Sequence, residues 1–278
     1  MRLRVRWRAG QTTRYEIVTT QDIEAPAPGR PGLSRRTEAV AAVETLSVTP
    51  DGTATQRMRL ESVRLASGSL SPGERGPLVE ALRAARMSYR QDPRGAVVGA
   101  PQGQGLEGAG EVRSTVEGML TALLQLGPTL PEGPVRVGDG WDERSEARLA
   151  PAPGGDLTLT LARHHTLRSW RLGPEGAVAE LDTTWVLRTP EGRAVGQIPM
   201  RGEGAGQGRT RLDLGRGVVV DSRVQGTMSV RLTVRGNELT VRSRFDNTLR
   251  ELAAGDPGEP SPRGRRRRRS PRRGPHGR

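Results

Sequence analysis

Three groups of residues in this chain have types and spacings that chemistry could use. Gly103-Gln104-Gly105-Leu106-Glu107-Gly108 fits G-x-G-x-x-G, the loop that brings backbone amides against a dinucleotide pyrophosphate. That loop works between a strand and a helix of a βαβ unit, and no βαβ alternation surrounds it here. With 37 glycines in 278 residues, the spacing also arises by chance. The second group is His164-His165, and the third is Asp139, Asp142 and Glu143. Adjacent residues of a strand point to opposite faces, so the two histidines cannot share an ion. Asp139, between Gly138 and Gly140, has the chemistry of a turn residue that hydrogen-bonds its own backbone. The remaining histidine, His276, is far along the chain, and the absence of cysteine removes a thiolate nucleophile and a thiolate zinc site. No catalytic residue, metal or cofactor is assigned, and the chain reads as non-enzymatic.

The elements that would position any site are mostly strands. Leu3, Val5 and Trp7 alternate with arginines, which predicts a strand with one buried face. Tyr15 and Ile17 open a second strand to about Glu24, and residues 25–32 read as a loop rich in Pro and Gly. Residues 35–49 and 53–66 flank Pro50-Asp51-Gly52, whose residue types predict a tight hairpin turn. In the return arm the apolar parity switches between Met58, Leu60 and Val63, Leu65, so a β-bulge is expected near Glu61-Ser62. Residues 78–86 predict a short helix. Met87–Gln91 and Ala96–Ala100 predict a further hairpin.

Residues 109–126 carry the strongest helical pattern. Val112, Val116, Met119, Leu120, Leu123 and Leu124 gather on one stripe, and Gly127-Pro128 stops the run. Beyond it the first plan recurs. Val5–Gly10 matches Val135–Gly138, Pro50-Asp51-Gly52 matches Pro174-Glu175-Gly176, and Arg94–Val98 matches Arg216–Val220. The same order at nearly constant offsets predicts an internal duplication hinged on the helix. The expected division is a first β repeat over 1–100, a linking helix and proline loop over 101–134, a second β repeat over 135–252, and an arginine-rich, disordered tail over 253–278. The fold class expected is α+β with β dominant: two related antiparallel strand sets, curved sheets or half-barrels, around one central amphipathic helix.

All 44 basic residues are arginine, and the formal net charge is +13. The scarcity of Lys, Asn, Ile, Phe and Tyr alongside abundant Gly and Pro is what a GC-rich genome imposes, so arginine fills ordinary surface positions. The tail holds nine arginines against two acids and no aromatic residue to stack on bases, and nucleic acid is a candidate partner only through it. No run of eighteen apolar residues could span a membrane as a helix. No secretory leader precedes Leu3, so a cytoplasmic location stays open beside export from a longer precursor.

Pro131-Glu132-Gly133-Pro134-Val135-Arg136-Val137-Gly138-Asp139-Gly140-Trp141 resembles the P-x-x-P-V-x-V-G-D-x-W signature of an uncharacterised family of bacterial envelope proteins, many predicted to be secreted or lipoproteins. Arg8–Tyr15 and the Gly-x-Gly strip near Gly202 fit the same pattern, over about residues 3–225. The resemblance implies a cell-envelope or periplasmic location and no catalytic residues. Glycines 202, 204, 206 and 208 fall at period two, leaving a bare strip of backbone on which a helix, a strand or a ligand could lie. The residue pattern therefore predicts a concave groove for a lipid or other hydrophobic ligand. Val116, Met119, Leu120 and Leu123 of the helix, Trp141, and Gly202, Gly204 and Gly206 would line it. The alternative is a structural module that binds an envelope protein through its sheet edges.

Overall fold

The computed structural model describes residues 1–24, 32–67, 72–104, 127–152, 155–173, 176–189, 200–234 and 237–253. The loop expected over 25–32 thus lies almost wholly outside the described residues. So do the helix expected over 109–126, with its groove residues Val116, Met119, Leu120 and Leu123, and all but the first residue of the tail. The described chain forms eleven strands and one helix. In order these are β1 (Thr12–Ile23), β2 (Leu33–Val48), β3 (Ala54–Ser67), α1 (Pro72–Ala84), β4 (Arg86–Gln91), β5 (Gln102–Gln104) and β6 (Gly140–Ala152). They continue with β7 (Gly155–Gly173), β8 (Gly176–Arg188), β9 (Met200–Asp213), β10 (Val218–Val234) and β11 (Asn237–Leu252).

β dominance holds, and the two strand sets are neighbouring parts of one open, curved antiparallel sheet. Its order is β5-β4-β3-β2-β1-β11-β10-β9-β8-β7-β6. Each set is a meander of successive hairpins, and the last strand, β11, is inserted between β1 and β10. Strands β1 to β5 and β6 to β10 occupy their halves in the same order. The three turn pairs recognised in the sequence each have a glycine of positive φ at the matched position. Gly10 and Gly138, Gly52 and Gly176, and Gly95 and Gly217 all have positive φ, from 65° to 148°.

Local chemistry accounts for the hairpins. At the β2–β3 turn the Asp51 carboxylate accepts the Thr53 hydroxyl at 2.9 Å and also takes the Thr49 hydroxyl, while Gly52 sits at φ 85°. The bulge falls where the parity switch predicts. Val40 pairs with Ser62 and Ala41 with Leu60, so Glu61 is the extra residue. The helix begins earlier than the sequence suggests, at Pro72, and the hairpin after β4 is shorter. Gln91 bridges Val97, and the return strand β5 comes only at Gln102.

The first nine residues differ from expectation in kind. Leu3 and Val5 are buried as their alternation requires, but the segment joins no strand ladder. Val5 N–H donates to Pro93 and Arg6 N–H to Leu214, so the extended chain runs across the sheet and ties loops of both halves together. Period-two burial requires only an extended backbone with one covered side; it does not require a sheet partner.

One face of the sheet carries the core in three clusters. Over β1 to β4, Leu82 of helix α1 and Ala85 just beyond its end cover Ile17, Ala41, Met58 and Met87. Over β7 to β9, the amino-terminal segment and the loop before β6 cover Leu167, Leu181 and Leu212 with Leu3, Val5, Leu130 and Val135. The third cluster, Leu159, Trp185 and Leu187, contains residues of strands alone. The opposite face is a field of cross-strand ion pairs, such as Asp182 with Arg168 and Arg209, Asp246 with Arg223, and Glu16 with Arg250. Much of the arginine of the body is used there, in solvated pairs that each contribute little. Among the described residues no helix is long and apolar enough to cross a membrane.

Candidate functional site

Strand register builds the third cluster. Trp185 on β8 pairs with Gly206 on β9, Gly206 with Gly226 on β10, and Gly226 with Phe245 on β11. All four therefore point to the same face, and the two middle positions have no side chain. The Trp185 indole lies down across them, and a Cβ at either glycine would run into its ring. It reaches far enough to stack on Phe245, with ring centroids 5.4 Å apart and planes at 23°. Beside this aromatic bridge lie Leu161, Val224, Met228 and Val230, half-buried, and together they make an apolar floor. Among the described residues neither α1 nor the amino-terminal segment covers it. The indole Nε1 is buried and has no hydrogen-bond partner among the described residues.

The glycine strip is thus real. Its occupant is a side chain from the neighbouring strand, where the sequence suggested a helix, a strand or a ligand. Period-two glycine reveals bare backbone and cannot say which residue fills it; that depends on register. Gly204 lies on the same face close to the Thr227 carbonyl, and Gly202 is buried against Thr189 at the end of the strip. Trp141 does not join them. It stands on β6 with the second cluster, 5.4 Å from the His165 ring, and its indole N–H donates to the Thr129 carbonyl at 2.8 Å.

A polar group that sequence reasoning missed surrounds Trp141. Glu143 pairs with Arg163 in the β6–β7 register, and His165 follows two residues on along the same face. The Glu143 carboxylate accepts from Arg163 at 2.9 Å, from His165 Nε2 at 3.0 Å, and from the Thr129 hydroxyl and amide at 2.9 and 3.2 Å. His165 is 1% exposed, and its other ring nitrogen meets the Thr183 hydroxyl at 2.8 Å. The signal was legible in principle: Arg163 and His165 interrupt the apolar row Leu159, Leu161, Leu167, and buried charges demand a partner. His164, on the opposite face, bonds Asp142 at 2.8 Å. Asp142 and Glu143 consequently point apart, and Asp139 accepts the Arg136 amide in its own turn.

Two contacts fall on each carboxylate oxygen, and through Thr129 they anchor the loop before β6 to the sheet. A groove of about 790 Å³ borders this triad, lined by Thr129, Trp141, Glu143, Arg163 and the Arg94–Glu132 ion pair. Burial alone would raise the Glu143 carboxyl; the His165 hydrogen bond, the Arg163 charge and the Thr129 amide outweigh it and bring it down to about 2 from about 4.5. A carboxyl lowered by folding stabilises the fold above its unfolded value and loses that contribution as pH falls through the folded one. Stability should therefore drop on acidification from about pH 4.5 to 2 by on the order of 3 kcal/mol. Urea unfolding across that range checks it, and Glu143→Gln should flatten the profile.

A smaller cavity, about 100 Å³, lies between the first two clusters and is lined by Thr13, Thr45, Gln56 and Tyr89 among others. It has room for about three waters bonded to those polar groups.

No family model matches the chain, and no curated protein matches its sequence. Among solved structures it is similar to lipovitellin, in a structure concerned with lipid–protein interactions. The TM-score is 0.52 at 10% identity, over 88% of this chain and 25% of lipovitellin. The chain spans about a quarter of that protein's length, and the likeness is one of fold. A Bacteroides fragilis protein with a YmcC-like fold aligns over 91% of this chain and all of its own, at 12% identity and a TM-score of 0.27. A Rh. blastica porin variant aligns over 87% and 99%, at 8% identity and a TM-score of 0.25. Scores so low carry no argument.

Proposed function

We propose that this is a non-enzymatic protein of the bacterial cell envelope that holds a lipid, or another hydrophobic ligand, against the inner face of its sheet. The observation that carries the reading is the apolar floor of β7 to β11, built from the Trp185–Phe245 bridge, Leu161, Val224, Met228 and Val230. The other two clusters have an element laid over them; this one has none among the described residues. Apolar area left on a sheet face is a binding surface before it is anything else. The shared fold with lipovitellin supports the same reading, since that structure concerns lipid–protein interactions. The envelope location rests on the Val135–Trp141 signature. Matching turns and strand order support a duplication of one strand plan, which would have extended a small sheet into a face wide enough for such a ligand.

The test is organic extraction of the purified protein with mass spectrometry, together with uptake of a hydrophobic fluorescent dye. Lipid should be recovered, and Met228→Glu, at a partly exposed position of the floor, should leave the fold intact but reduce dye uptake at least about tenfold, because the bound dye would then bury an unpaired carboxylate. Protein free of extractable lipid that also takes up no dye would remove the proposal.

A further inference from the structure

The β7–β8 hairpin carries large apolar side chains out beyond the core. The register shift between Leu167 and Ser169 leaves Arg168 as an extra residue, and from there the parity of β7 is reversed. Trp170 and Leu172 therefore share a face with Ala179 and Ala177, their partners on β8, and so with the second cluster. Two alanines across the ladder give neither side chain anything large to pack on. On the other side β6 begins at Gly140, opposite Thr166. Among the described residues β7 thus runs on from Arg168 to Gly173 with β8 as its only strand neighbour. Trp170 is 42% exposed and Leu172 79%. The turn before β6 lies alongside: Gly138 N–H donates to the Leu167 carbonyl at 2.8 Å, and Leu167 N–H to that of Asp139 at 3.0 Å. That turn adds an exposed Val137. Cations stand among these residues. Arg171 and Arg136 are exposed, and neither forms an ion pair among the described residues. The carboxylates about them are engaged: Glu180 takes the Ser169 hydroxyl, Asp182 takes Arg168 and Arg209, and Asp139 takes the Arg136 amide.

We propose that this end of the sheet docks on an anionic lipid bilayer, with Trp170 and Leu172 entering the headgroup region and Arg171 and Arg136 meeting its phosphates. An indole suits that boundary, having an apolar body and an N–H that can stay among polar groups. A guanidinium on its long stem reaches phosphates from either face of a hairpin. Neither contribution suffices alone. So few apolar side chains insert weakly, and salt screens the attraction of so few cations, so binding needs both. The docking is independent of any ligand held on the floor of β7 to β11.

The test uses the full-length chain and vesicles of phosphatidylglycerol and phosphatidylcholine with brominated acyl chains, read by tryptophan fluorescence. Bromine quenches only an indole that comes close to it. Trp7, Trp141 and Trp185 pack within the clusters, so Trp170 should account for the quenching and Trp170→Phe should remove most of it. A lipid held on the floor is read by Trp185 instead, so the two proposals fail separately. Followed by the same quenching, Leu172→Asp should weaken vesicle binding at least about tenfold, and Arg171→Ser about fivefold at low salt. Both positions are exposed, so the fold should be unchanged by circular dichroism. Wild-type protein that is not quenched would overturn the proposal, and attachment through the arginine-rich tail alone would give that result. So would quenching that survives Trp170→Phe, or that is as strong on vesicles of phosphatidylcholine alone.

Discussion

Gly226→Val should destabilise the protein by at least about 3 kcal/mol, at the upper end of what overpacking costs. In an ordinary strand the same change is favourable, because valine suits an extended backbone and glycine does not. Here the space is taken. A Cβ at residue 226 meets the edge of the Trp185 indole and the Ala205 carbonyl, and one at residue 206 meets the same indole and the Gln225 carbonyl. The ring cannot withdraw without giving up its stacking on Phe245. Urea denaturation measures the loss. In a Trp185→Ala background the same Gly226→Val change should cost less than in the wild type, since removing the indole leaves only the carbonyl contact. A Gly226→Val protein as stable as the wild type would show that the indole does not rest on β10.

The second large effect belongs to the buried triad. Glu143→Leu leaves the Arg163 guanidinium and His165 inside the core with no carboxylate between them, and about 3–5 kcal/mol should be lost. It also takes away the acceptor for the Thr129 amide and hydroxyl, so the loop before β6 should loosen from the sheet. Protection of the Thr129 amide in hydrogen exchange reports on that loosening. The cost comes from withdrawing the carboxylate from a buried guanidinium, and replacing the group as a whole should cost less. Glu143→Leu/Arg163→Met/His165→Phe is expected to be more stable than Glu143→Leu alone. The reverse order would mean that the polar bonds themselves outweigh the desolvation of their members.

How far the sequence foretold this molecule depends on whether a feature is local or set by register. The bulge at Glu61 is local: when the buried parity switches within one strand, an extra residue must be absorbed there. The turn at Asp51-Gly52 is local too, since its residue types determine its backbone. Trp185 and Phe245 are sixty residues apart, with no pattern linking them, and they meet only because two glycines occupy the rungs between. The same holds for Glu143 and His165, which share a face only in the β6–β7 alignment that exists. The sequence reading places Trp141 with the glycine strip, but it stands on β6 and packs with the second cluster, against the loop before that strand. For Leu3 and Val5 the burial was readable and the partner was not, since an extended chain looks alike whether it lies in a sheet or across one.

The insertion of β11 between β1 and β10 has a consequence for how the molecule comes to exist. Arg14 pairs with Leu252, so the middle of the sheet joins residues near opposite ends of the described chain. During synthesis both meanders can form as they emerge, but each must wait with an open flank, β1 on one and β10 on the other. Closing so long a loop makes folding slow, and the waiting flanks are where an unfinished chain would misassemble. The seam that makes one surface out of two halves is therefore the last to be sewn, and refolding rate should respond most sharply to changes along it.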